Sequence, residues 1–151
     1  VVVVCLLLSS MMIIHASPWI VRPTKHVTQQ QMVGYETSIQ HGEDGVRFAG
    51  IYTGPRRTLN AYYGAQPSGG VGTNRTWERD AGRLPQRFAD RNLDGAVETP
   101  LYIVSTEYAR RVHLELFDEV VYSRLDFEWL RNNDRADRVY SNGEFELYRY
   151  G

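Results

Sequence analysis

The residues best suited to chemistry in this chain are Arg56 and Arg57, followed by Tyr62 and Tyr63. Two guanidinium groups beside the free N–H groups of a helix start could hold an anion, because arginine bridges phosphate oxygens bidentately. A tyrosine ring can stack on the C–H face of a sugar while its hydroxyl hydrogen-bonds. The plainer reading of the same residues is a solvated arginine pair and two tyrosines packed into a core. Other patterns carry less. The run SGGVGTN at 68–74 has phosphate-loop glycines but not the Gly-Lys-Ser/Thr ending that reaches phosphate and magnesium, so it reads as a flexible turn. Asn74-Arg75-Thr76 is an N-glycosylation triplet. Asp90, Asn92, Asp94 and Gly95 resemble the first half of a calcium loop, but Leu101 stands where its bidentate carboxylate belongs.

What is missing narrows the chemistry further. His15, His26, His41 and His113 are too scattered for metal-ligand spacing, and no nucleophile sits in a recognisable elbow. The adjacent acid pairs Glu43-Asp44 and Asp118-Glu119 read as solvated. No catalytic, cofactor-binding or metal-binding residue is therefore expected, and no cofactor. A net charge of −1, from 17 basic and 18 acidic residues, gives no field that would draw nucleic acid. Cys5 is the one cysteine, which excludes an intrachain disulfide.

The elements that must position these residues follow from caps and periodicity. Thr28 and Gln31 form a capping box, and Val27 with Met32 a hydrophobic staple, for a helix over 29–41; Met32, Tyr35 and Ile39 share its inner face and Gly42 supplies a left-handed C-cap. VRFAGIYT predicts a strand over 47–53. Gly54-Pro55 opens a short helix, RRTLNAYY, packed through Leu59, Tyr62 and Tyr63 and ended by Gly64. Residues 65–92 lack a sustained period and read as a surface excursion with a short helix near 85–90. LYIVST predicts a buried central strand. A helix over 107–117 follows, capped by Ser105 or Thr106, although Val112, Leu114 and Leu116 also alternate like a strand. Ser123 and Asp126 start another helix, with Phe127 and Leu130 inward. Asn142-Gly143 then predicts a hairpin that pairs Tyr140 with Phe145 and adds Leu147 to their face. The fold class is α/β (α+β), a small mixed sheet covered by helices and ending in a β-hairpin.

Ahead of this domain lies VVVVCLLLSSMMIIHA, with no charge before Arg22. As a helix it is about 24 Å long, against a hydrocarbon core of about 30 Å. It reads as a transmembrane helix over 1–17 cut at its start, with a signal-peptide core or a buried helix as alternatives. A connector over 18–27 and a domain over 28–151 complete the organisation.

The exit SPW, then HVTQQQMVGYETSI, FAGIYTGPRR with AYYG, LYIVSTEY and the closing RVYSNGEFELYRY resemble the C-terminal soluble domain of haloarchaeal family 39-like membrane glycosyltransferases, relatives of the dolichyl-phosphate-mannose protein mannosyltransferases. The near-neutral charge departs from a halophile's acidity. The resemblance implies an integral-membrane enzyme that passes a sugar from a polyprenyl-phosphate carrier to an acceptor outside the cytoplasm. Its catalytic acid would lie in a loop this sequence lacks. This segment would then be an extracytoplasmic accessory domain, with the lipid bilayer and the rest of the same chain as partners. Polyprenyl-phosphate sugar or acceptor would meet Arg56, Arg57, Tyr62 or Tyr63. The rival reading is a single-pass or secreted binding module without enzymatic context.

Overall fold

The computed structural model of the chain describes residues 27–52, 55–63, 79–91, 93–116 and 121–151. Its strands are β1 (Arg47–Gly50), β2 (Asp80–Arg83), β3 (Leu101–Thr106), β4 (Ala136–Ser141) and β5 (Phe145–Tyr150). Its helices are α1 (Gln29–His41), α2 (Arg56–Tyr63), α3 (Glu107–Arg111) and α4 (Arg124–Asn132). The fold is mixed α+β: one five-stranded sheet ordered β2-β1-β3-β5-β4. β1 runs parallel to β2 and β3, while β3–β5 and β5–β4 are antiparallel. A parallel return needs a crossover, and α2 supplies the one from β1 to β2.

Alternation along β3 builds two cores. Leu101 and Ile103 face Phe88, Leu93, Phe127 and Leu130, under α4 and the β2–β3 connection. Tyr102 and Val104 face Phe48, Phe145, Leu147 and Tyr35, under α1. LYIVST is thus the buried central strand that its β-branched run implies.

Helix α1 begins as its cap foretells, Thr28 Oγ1 accepting from the Gln31 N–H at 3.2 Å. Tyr35 and Ile39 face inward as expected, but Met32 does not. Met32 and Val27 are 47% and 55% exposed, and Gln31, Gly34, Tyr35, Ser38 and Ile39 are the buried residues. The cause is Gly34. A Cβ there would lie 2.4 Å from Phe145 Cγ, so the bare backbone is what lets this ring fit against the helix. Nor is Gly42 left-handed, its φ being −69°. Smallness is what the position requires, since a Cβ would meet the Ser38 carbonyl at 2.4 Å.

The expected strand over 47–53 stops at Gly50, because Tyr52 turns to φ +76°. The supposed surface excursion is corrected more deeply. Although 64–78 lie outside the described residues, the segment that follows contributes β2 and buries Leu84 and Phe88, with Leu93 just beyond. Its expected short helix is a 3-10 turn, Phe88–Asp90. Arg79 secures the entry to β2, its guanidinium donating to the carbonyls of Val46 and Glu43 and lying 4.9 Å from the Phe48 ring centre.

Helix α3 starts where Thr106 Oγ1 accepts from Ala109 N–H, then widens into a π turn over Val112–Leu116. The helical reading of this ambiguous stretch holds. α4 carries the Ser123–Asp126 capping box. Asp126 is fully buried and also accepts from Ala89 N–H at 2.8 Å, tying the 3-10 turn to α4. The hairpin forms in another register: Tyr140 stands opposite Leu147, and Phe145 only touches its ring diagonally at 6.1 Å. The reason is the turn. Gly143 takes φ +92°, and Asn142 Oδ1 accepts from the Phe145 N–H, so Asn142 closes the hairpin opposite Phe145 instead of sitting at its tip.

Among the described residues no helix is long and apolar enough to cross a membrane. The expected span over 1–17 and most of the 18–27 connector lie outside them.

Candidate functional site

From β1 the chain crosses to β2 on one side, and from β2 it returns to β3 on the other side of β1. β1 and β3 therefore flank a topological switch point, the place where open α/β sheets bind ligands, outside the carboxyl ends of the strands. A cavity of about 400 Å³ lies at this end, lined by Tyr52, Arg83, Leu84, Pro85, Gln86, His113, Val121 and Tyr122. The segments that follow all three parallel strands converge on it: Tyr52 after β1, Leu84 to Gln86 after β2, and His113 from the helix after β3.

Each wall is held by identifiable contacts. Tyr52 occupies the left-handed region, which for a bulky residue costs on the order of 1–3 kcal/mol, so the packing of its ring must hold it there. That ring meets His113 edge-on at 5.0 Å and Tyr108 at 5.8 Å. His113 in turn meets the Tyr122 ring at 4.8 Å. The Tyr122 hydroxyl donates to the Leu84 carbonyl at 2.6 Å, fastening the segment after β2 to the site.

Burial sets the charge state. It pushes the His113 imidazole below its ordinary value, the carboxylate of Asp126 opposing only in part, so the ring is neutral at pH 7 and can both donate and accept. Burial likewise pushes Tyr122 up, against the opposing influence of Arg83 and the Tyr52 backbone. Tyr108 is raised by burial and then by the neighbouring Tyr52 hydroxyl. The pocket is thus aromatic and uncharged at its base, with Arg83 exposed at its rim. Among the described residues no carboxylate lines it, and Asp126 is committed to Ser123 and Ala89. Such a site is equipped to bind a polar ligand with a flat apolar face.

The residues singled out from sequence fall elsewhere. Arg56 and Arg57 are exposed at the start of α2, which packs against α1 through a Tyr35–Thr58 hydrogen bond and so lies on the opposite sheet face from Tyr122. Tyr62 is 44% exposed and so is no core residue. It stands about 240° and 140° round the helix from Arg56 and Arg57, so arginine and tyrosine do not converge. The side chain of Tyr63, like Asn74 and the 68–74 run, lies outside what is described. No group of His, Cys, Asp and Glu among the described residues could hold a metal ion. Tyr52, His113 and Tyr122 were not legible as a set. The usable signal was a strand running into Gly54-Pro55 and a helix, which marks a βα turn at a sheet's carboxyl edge.

Comparison with family models, curated proteins and solved structures gives no match.

Proposed function

We propose that this chain is the extracytoplasmic C-terminal accessory domain of a membrane glycosyltransferase using a polyprenyl-phosphate sugar, and that the Tyr52–His113–Tyr122 pocket holds a hexose of donor or acceptor. The observation that carries the reading is the shared end of pocket and chain entry. Thr106 pairs with Phe145, so the hairpin turn sits at the carboxyl end of β3. The first described residues meet that turn: the Thr28 hydroxyl bonds the Glu144 carboxylate, and Asn142 Nδ2 donates to the Gln30 carbonyl at 2.7 Å. A chain arriving from a membrane thus brings the pocket with it. Aromatic faces and neutral hydroxyls suit a sugar ring, which offers C–H surface on one side and hydroxyls at its edge.

The domain binds and does not catalyse. Purified full chain, incubated with an isoprenyl-phosphate hexose and an acceptor peptide, is expected to bind the hexose without transferring it. Turnover by the chain alone would overturn the accessory role. Binding that survives Tyr52→Ala would overturn the assignment of the pocket.

A further inference from the structure

Of the six large hydrophobic side chains most exposed among the described residues, three belong to the entry end of α1: Val27 just before its cap, and Met32 and Val33 in its first two turns. Farther along, the exposed face of the same helix turns polar, with Glu36, Gln40 and His41. The exposed apolar side chains are therefore at the end where the preceding chain enters, where they are interleaved with the exposed but uncharged Gln29 and Gln30. The first turn of α2, with Arg56 and Arg57 exposed, lies alongside, since Thr58 bonds Tyr35. The nearby Glu144 is engaged by Thr28, which leaves Glu36 as the exposed acid on that face of α1.

We propose that this end of α1 and α2 rests on the surface of a phospholipid bilayer, Val27, Met32 and Val33 entering the headgroup boundary and Arg56 and Arg57 meeting lipid phosphates. The occupant follows from charge complementarity and from chain length. Arg22 and Lys25 precede Val27, and the ten residues from 17 to 26 reach at most about 33–36 Å from the apolar run that ends at Ala16. A tether that short keeps the patch within reach of any bilayer that holds residues 1–16. An apolar end flanked by cations is what an interfacial helix offers to lipid. The proposal rests on the membrane reading of the preceding section. It goes beyond that reading by fixing which face meets lipid, and it orients the pocket end towards the membrane.

The test uses the full chain in phosphatidylglycerol nanodiscs. On a Cys5→Ser background, a polarity-sensitive fluorophore is placed by Met32→Cys or Val33→Cys, and by Val139→Cys as a control that is equally exposed on β4. With bromine-labelled lipid chains, quenching at 32 and 33 is expected to exceed that at 139 by about twofold or more, and to fall when Arg56 and Arg57 are both replaced by Glu. Equal quenching at all three positions, in chain that has entered the discs, would overturn the docking face and leave the membrane reading standing. Chain that does not enter the discs at all would overturn that reading, and this inference with it.

Discussion

On one side of β3, strands β5 and β4 run antiparallel for six residues each, and Phe145, Leu147, Tyr148 and Tyr150 are buried along β5. On the other side β1 and β2 are four residues each, their pairing slips between Phe48 and Ala49, and the strand exits with Tyr52 in the left-handed region. In the antiparallel half β5 is packed on both faces, while β4 is mostly exposed and its open side, with Asp137 and Arg138, borders a polar groove of about 510 Å³. The parallel half leaves a cavity where three connections meet. Both halves feed the core, Phe48, Ala49 and Phe88 being as buried as Phe145, and the contrast lies at the strand ends: the crossover half carries the left-handed Tyr52 and a space for a ligand where its connections meet.

Breaking the antiparallel half should produce the largest effects. Phe145→Ala removes a fully buried ring that contacts both Tyr35 and Tyr140, and is expected to cost about 3–5 kcal/mol of unfolding free energy in denaturant titrations. Gly34→Ala pushes a methyl group into that ring and should cost about 1–3 kcal/mol. Combining it with Phe145→Leu should lose less than the sum of the two single changes, because both act on one space.

The crossover half should respond locally. Tyr122→Phe removes the donor to the Leu84 carbonyl and is expected to cost about 1–2 kcal/mol. Hydrogen exchange should quicken at 84–91 while the amides of β4 and β5 keep their protection. Uniform loss of protection would show that the response is not local.

The smallest effect is electrostatic. His113 has its folded pKa below the ordinary 6.5 because burial outweighs the attraction of Asp126. As pH falls below about 6.5 the unfolded chain takes up a proton that the folded chain refuses, so stability drops; raising pH back through the window restores it. The difference in stability between pH 7.5 and pH 5.5 should shrink in His113→Gln, and an unchanged difference would place the sensitivity elsewhere.

The same contrast explains what was legible in the sequence. α1, β3, α4 and the hairpin were readable because their signals are local: the Thr28 cap, the LYIVST run, the Ser123–Asp126 box and Asn142-Gly143. β2 was not, since Asp-Ala-Gly-Arg has no strand pattern and exists as a strand through pairing with β1, about thirty residues away in sequence. On α1 the sequence placed Tyr35 and Ile39 inward correctly but Met32 wrongly, because Gly34, not a large apolar residue, admits Phe145. Even the hairpin register turned on one side-chain hydrogen bond, from the Phe145 N–H to Asn142 Oδ1. The pocket escaped notice for the reason that hid β2. Its three rings come from two connections, Tyr52 from the one after β1 and His113 and Tyr122 from the one after β3, and the sheet topology brings them together.

The most direct test of the pocket's role is a nuclear magnetic resonance titration of the full chain in detergent with a short-chain isoprenyl-phosphate hexose. Saturable shifts are expected at the Tyr52, His113 and Tyr122 ring signals, with Phe145 and Tyr150 on the antiparallel half unmoved. Shifts confined to other residues, or none at all with ligand at millimolar concentration, would contradict the assignment of this cavity as a sugar site.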